Sequence, residues 1–352
     1  MNKENNTSIS ICILRLSAIG DITHIIPIVS TLQKYYKKCD ITWVIGKTEY
    51  QLVKTLDNVN YIVIDKNKTL DSIIGMHKYL KEEKFDVVFH MQKSLRSKIL
   101  GRIIDGKINV TFNDINTNNN HVLDNFFAFL EKINIKKKEL NWQINKILTN
   151  GSDFIDKNNL NDLKPFVTIN PFTSERINNY REWDYDNYGT IAEYLFNEYS
   201  IKTVFIGKTT EERKKNFQKY IKVSSKSLNL VNKTSLGEML SVLNMSKFYI
   251  GPDSGTLHMA NMLAIPIIGL YATSNPKRTG PYSSLEYTVD RYEEAVDKFS
   301  KKSIEKTKWG GRERERLRGG SGASEASEEN GLPVCRRKQA RLASAKKVRR
   351  ST

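Results

Sequence analysis

Short, continuous apolar runs rich in β-branched residues recur along this chain, separated by longer amphipathic stretches. This alternation constrains the fold more than any other feature. The runs ISICILRL (9–16), ITWVIG (41–46), YIVID (61–65) and DVVFH (86–90), followed by INVTF (108–112), are for the most part continuously apolar instead of strictly alternating. A strand of that kind is buried on both faces, which requires a parallel sheet with helices packed above and below it. A polar stretch, TNGSDFIDKNNLNDLK (149–164), reads as a linker or surface excursion. The pattern then restarts with FVTIN (166–170), KTVFIG (202–207), LNLV (228–231), KFYIG (247–251) and IPIIGLY (265–271). Helices are predicted near 185–199, 210–222, 235–245 and from Asp253. The expectation is an α/β chain of two Rossmann-like, doubly wound domains facing a cleft, over 1–150 and 151–290, with a further helix at about 291–303.

The residues from 308 to 352 differ in usage from the rest. They hold nine of the chain's Arg but no Ile, among Gly, Ala, Ser and Glu, and show no apolar periodicity. They read as a disordered basic tail of different coding frame or origin. The tail also distorts the charge: of the net +17, its 13 Lys and Arg against five acidic residues supply nearly half. The moderately basic remainder suits anionic substrates or an anionic membrane face better than it suits nucleic acid, and it lacks aromatic–basic interleaving. No apolar run approaches the roughly 18 residues of a membrane span. The polar N-terminus does not resemble a secretory signal, and three scattered cysteines fit a reducing cytoplasm.

Several strand-to-helix junctions carry residues suited to chemistry. GPDSGTLHMA (251–260) follows an apolar run. Asp253 or Ser254 would cap the next helix, Gly255 permits close approach of a ligand, and His258 falls on the first turn. The junction is either a plain capped helix or a phosphate cradle, in which exposed N–H groups and the helix dipole would attract a diphosphate. RLSAIGDITHIIP (15–27) places Gly20 and Asp21 at another helix start, where Asp21 is either a cap or a general base. NPFTSERINNYREW (170–183) is either a polar loop with a solvated Arg or a site where Thr173 and Ser174 bond phosphate oxygens and Arg181 neutralises a leaving diphosphate. MQKSLRSK (91–98) makes a basic helix start of Lys93, Arg96 and Lys98, which either holds an anionic acceptor or is an ordinary solvated helix face. DYD (184–186) reads as helix-start carboxylates and not as a metal motif. His24, His77 and His90 lack metal-ligand spacing and read as structural.

Taken in order, LRLSAIGDITHIIPIV, MQKSLRS, HVLDN (121–125) and GPDSGTLHMANMLAIPIIGLYATSNPKRTGP resemble glycosyltransferase family 9, the ADP-heptose:lipopolysaccharide heptosyltransferases, over residues 9 to about 303. The resemblance implies a GT-B fold, with the acceptor in the N-terminal domain and the sugar nucleotide in the C-terminal one. The helix within 291–307 would return to the first domain. It further implies inverting transfer of a heptose-like sugar with no metal or other cofactor. Asp21 would be the catalytic base. Thr173, Ser174, Arg181, Asp253, Ser254, Gly255 and His258 would bind the donor, and Gly20, Gln92, Lys93 and Arg96 the acceptor. The implied partners are a nucleotide sugar and an anionic lipopolysaccharide core or lipid A precursor. The enzyme would be cytoplasmic, touching the inner face of the inner membrane through basic patches such as Lys136–Lys138. Arg181 stands where the family usually has Lys. The stretch 207–210 lacks the acidic residue that often binds ribose, a role Glu211 or Glu212 would have to fill. Two rival readings are a sugar-nucleotide epimerase of the same fold and a nucleic-acid-binding protein acting through the basic tail.

Overall fold

Strand and helix alternate along the chain and assemble into two separate parallel sheets. The computed structural model describes residues 5–65, 67, 74–77, 80, 83–117, 121–148, 151–174, 180–221 and 227–299; the tail expected at 308–352 lies outside them. In the first sheet the strands are β1 (Asn5–Leu14), β2 (Tyr36–Gly46), β3 (Val59–Ile64), β4 (Lys84–His90) and β5 (Asp105–Thr111). Their order is β3-β2-β1-β4-β5. Every pairing is parallel, with Ile11 opposite Ile41 on one side and Val87 on the other. The second sheet contains β6 (Phe166–Ile169), β7 (Lys202–Phe205), β8 (Ser227–Asn229), β9 (Tyr249–Pro252), β10 (Ile267–Tyr271) and β11 (Val289–Asp290). It runs β11-β10-β9-β6-β7-β8, again parallel throughout.

The continuous apolar runs are central strands. Ile11, Cys12, Ile13 and Leu14 of β1 are wholly buried, because helices cover both faces of the sheet. The helix Ile19–Tyr35 buries Ile22, Ile25, Ile26, Val29 and Leu32 on one side. On the other face, Met76, Leu80, Leu100 and Ile104 pack with Cys12, Leu14, Val44 and Val88. The second sheet has its own core of Val167, Ile169, Phe172, Tyr188, Phe205, Phe217 and Ile250. The stretch 149–164, expected as an excursion, contains the short helix Ser152–Lys157. The last described helix is Tyr292–Phe299.

The chain divides into two compact units. The first comprises residues up to Asp162 together with Thr234–Met245 and His258–Ile265. The second comprises Leu163–Lys233, Ser246–Leu257 and the described residues from Pro266 on. In each sheet the strand order reverses direction once, between β1 and β4 in the first and between β6 and β9 in the second. At such a switch point the two neighbouring connections leave on opposite faces, opening a crevice at the strands' carboxyl ends. Asp21, Gln92, Thr173, Ser174, Asp253 and Ser254 follow the strands that flank these two places.

Candidate active site

In the first unit, β1 ends at Leu14 and the chain turns through Arg15–Ala18 into the helix Ile19–Tyr35. Arg15 is nearly buried. Its guanidinium pairs with Asp21, donates to the Met91 carbonyl at the end of β4, and lies 5.3 Å over the Phe126 ring. Asp21 is the third residue of the helix, and its Oδ2 also accepts the Ala18 N–H at 3.2 Å. The carboxylate is therefore held from two sides through one oxygen. Among the described residues Oδ1 has no hydrogen-bond partner, and the side chain is 31% exposed. A carboxylate fixed in this way can accept a proton from a hydroxyl brought to its open oxygen.

Behind Asp21 lies a group of imidazoles contributed by three segments of the first unit. His24, one helical turn beyond Gly20, meets His258 edge-to-face at 4.8 Å between ring centroids and His121 at 5.6 Å. His121 caps the helix Val122–Glu131, its Nδ1 accepting the Leu123 N–H at 3.1 Å. The proton of its neutral ring therefore sits on Nε2. Burial, followed by the charges of His258, His121 and Arg15, holds His24 well below its ordinary value of 6.5. Gly20 completes the contact: a Cβ built there would lie 2.5 Å from His258 Cδ2. The sequence offered Gly20 for the acceptor, and the structure sets it against the His258 ring. The part His24 plays here was not legible, since its only signal was a His on an apolar helix face.

Of the other residues expected to meet an acceptor, Gln92 accepts the Leu16 N–H at 2.7 Å through Oε1, joining the ends of β1 and β4. Lys93 lies 4.8 Å over the Phe112 ring, and Arg96 is half-buried on the helix Leu95–Gly101. Lys138 pairs with Asp124 at 2.7 Å and caps the Phe127 ring, so of Lys136–Lys138 it is already engaged.

In the second unit the exits of β6 and β9 are tied together. Asn170 donates from Nδ2 to Ser254 Oγ at 3.3 Å and accepts the Phe172 N–H through Oδ1. Ser254 Oγ also accepts the Leu257 N–H, so Ser254, and not Asp253, caps the helix Gly255–Met262. Asp253 instead directs Oδ2 to the Thr279 hydroxyl at 3.3 Å. Arg181 spans both loops, donating to the Asp253 carbonyl at 3.2 Å and to Ser174 Oγ at 3.2 Å. A guanidinium, a serine hydroxyl and the N-terminal end of a helix thus converge at one switch point. That donor set matches a diphosphate.

Glu182 was not anticipated. Its Oε1 accepts both the N–H and the hydroxyl of Thr173, while Oε2 pairs with Arg213, which lies over the Phe172 ring. In this state Thr173 turns its hydroxyl to that carboxylate. Farther along the sheet edge, Gly207 has φ +128, and a side chain there would strike Asn170. Asn232 holds the following loop, bonding to Thr209 N–H and C=O and to Glu211 Oε1, each at 2.9 Å. Glu211 pairs with Lys214 at 3.2 Å, and Asn232 is the first cause keeping its carboxyl below the usual range. Asp184 and Asp186 sit at the start of the helix Tyr185–Tyr199. Among the described residues, no three His, Cys, Asp or Glu side chains gather in a way that could hold a metal ion.

Comparison with known proteins follows the same lines. A sequence profile of Glycosyltransferase family 9 (heptosyltransferase) matches residues 73–308. The lipopolysaccharide core heptosyltransferase OpsX of Haemophilus influenzae is 31% identical over 313 residues, covering 84% of this chain and 88% of that protein. Among solved structures, a glycosyl transferase family 9 protein from Veillonella parvula aligns with a TM-score of 0.68 at 21% identity, over 85% of this chain and 90% of its own. The E. coli heptosyltransferase WaaC with ADP aligns with a TM-score of 0.61 at 16% identity, over 84% and 99%.

Proposed function

The chain belongs to glycosyltransferase family 9 (heptosyltransferase), a glycosyltransferase of GT-B fold, and from that membership we propose that it moves a heptose-like sugar from ADP-heptose to a hydroxyl of an anionic lipopolysaccharide inner-core acceptor. The reaction inverts the anomeric carbon and uses no metal ion. The enzyme is cytoplasmic and acts at the inner face of the inner membrane. The observation that carries this reading is the convergence of Arg181, Ser174 and the start of the helix Gly255–Met262 at the β6/β9 switch point.

In this mechanism Asp21 removes the proton of the acceptor hydroxyl as its oxygen attacks C1 of the sugar. The C1–O bond to the diphosphate breaks on the opposite face, and the departing diphosphate takes the bonding pair. Charge then develops on the leaving phosphate oxygen. Arg181 neutralises it, and the helix start contributes roughly half an elementary positive charge there. His258 donates to the donor from the first turn of the same helix, while Ser174 fixes the phosphate. Asp253, turned toward Thr279, orders the turn and faces hydroxyls in preference to phosphate. Thr173 binds through its hydroxyl when Glu182 yields it. Gln92, Lys93 and Arg96 line the acceptor side, and Gly20 serves it by leaving room for the His258 ring.

The test is calorimetry of the protein with ADP, UDP, GDP and CMP, followed by turnover with ADP-heptose. Selective ADP binding, lost in Arg181→Ala and His258→Ala, supports the donor assignment. A preference for another nucleotide overturns it. Asp21→Asn should lose about 10² to 10⁴-fold in kcat with ADP binding unchanged; near-normal turnover would remove Asp21 as the base.

A further inference from the structure

The helix Leu95–Gly101 is amphipathic in an unusual sense. Ser97 and Leu100 face inward, and Leu100 joins the core beneath β1, β2 and β4. Its outward side carries Leu95 and Ile99, four residues apart and therefore on one stripe, exposed to 75% and 44%. An exposed helix face ordinarily carries polar residues there. Met76 and Leu80 share the core cluster of Leu100 and Ile104, so the helical turn at 74–77 covers the same side of the sheet. It presents Ile74 at 68% exposure. The outer surface of this helical layer is thus aliphatic at three points.

It is also cationic. Residues 91–104, MQKSLRSKILGRII, hold Lys93, Arg96, Lys98 and Arg102 and no acidic residue. Lys98 and Arg102 are exposed beside Leu95 and Ile99, and among the described residues no carboxylate pairs with either. Exposed aliphatic side chains beside cations that no described carboxylate pairs complement one kind of partner, an anionic lipid surface. Its headgroups attract the cations, and its acyl boundary takes up Leu and Ile. A protein partner for the same face would have to supply both an apolar face and carboxylates.

We propose that Leu95, Ile99, Lys98 and Arg102, with Ile74, form the surface by which this protein docks on an anionic membrane. The proposal deepens the reading of a lipid-linked acceptor: Gln92, Lys93 and Arg96, assigned to that acceptor, immediately precede or belong to this helix. It also places the contact here and not at Lys136–Lys138, where Lys138 is already paired.

The experiment is co-sedimentation of the full chain with phosphatidylcholine vesicles, with and without phosphatidylglycerol, in the absence of any saccharide acceptor. Binding should require phosphatidylglycerol and fall with salt. Lys98→Glu/Arg102→Glu and Leu95→Asp/Ile99→Asp should each weaken it by about tenfold or more. Lys136→Glu/Lys137→Glu should leave it within about twofold. Because residues 308–352 are themselves basic, a second readout locates the contact. Leu95→Trp should gain fluorescence quenching by brominated lipid beyond that of the unsubstituted chain.

Vesicle binding unchanged in both double variants, or no added quenching at Leu95→Trp, overturns the proposal. So does dissociation of a dimer by Leu95→Asp/Ile99→Asp, which assigns the face to a second copy. Turnover of a delipidated acceptor should be unchanged in all the double variants, so failure of the docking surface is separable from failure of the transferase reading.

Discussion

Gly20→Ala is the substitution whose consequence the structure specifies most closely. The added Cβ would lie 2.5 Å from His258 Cδ2, whereas carbon atoms in contact settle at about 3.5–4.0 Å. One of the two must move by about 1 Å. The helix carrying residue 20 is anchored by six buried aliphatic side chains and cannot give way cheaply. The His258 ring is 7% exposed and packs edge-on against His24, so it cannot swing freely into solvent. The expected result is a folded protein, less stable by about 1–3 kcal/mol, in which His258 is displaced. If His258 holds the donor, a misplacement of that size should lower kcat/KM by up to about 10²-fold and weaken ADP binding. Gly20 also adjoins Asp21, so the single variant alone does not assign the loss to the ring. A double-mutant cycle with His258→Ala does: the effect of Gly20→Ala on ADP affinity should largely vanish once the imidazole is gone. Equal effects in both backgrounds, or unchanged ADP affinity in a folded Gly20→Ala protein, would refute the reasoning.

The Glu182 network should respond in graded fashion. Glu182→Gln retains an acceptor for Thr173 but loses the charge facing Arg213. Glu182→Ala loses both, at about 1–3 kcal/mol of stability by denaturant titration and with weaker ADP binding. No difference between the two would mean that the Arg213 pair contributes little. A pH effect follows from His24 and His90, both held below 6.5 mainly by burial. At pH above 6.5 they are neutral in the folded and unfolded chain alike. As pH falls below 6.5 the unfolded chain takes up the protons before the folded one, so folded stability declines, by up to about 1.4 kcal/mol per pH unit for His24, the group held well below its ordinary value. Tm should therefore drop on acidification from pH 7 to 5. His24→Phe should reduce that slope, and an unchanged slope would show that His24 titrates normally. Under the proposed mechanism, turnover with ADP-heptose should survive prolonged chelation with EDTA; loss restored by a divalent cation would contradict it.

Composition along the chain was enough to specify the architecture. Continuous apolar strands need cover on both faces, and only a parallel sheet with crossover helices provides it, so two doubly wound units were legible from runs such as ISICILRL and FVTIN. The donor candidates were legible because they mark a local event, the passage from strand end to helix start. Even so, the sequence left Asp253 and Ser254 as alternative caps, and a hydrogen bond at Leu257 decided for Ser254. Three matters were invisible locally. The pairing of Arg15 with Asp21 needs the helix start folded back on the strand end. Glu182 reaches Thr173 and Arg213 only when two loop segments and the start of the helix Glu211–Tyr220 meet at one sheet edge. His24 gains neighbours 97 and 234 residues away in the chain, His121 and His258, and with them a depressed basicity that no helical pattern encodes. Periodicity reports which side of an element is buried. Which partners it is buried against depends on strand order, a property of the assembled sheets and not of any segment alone.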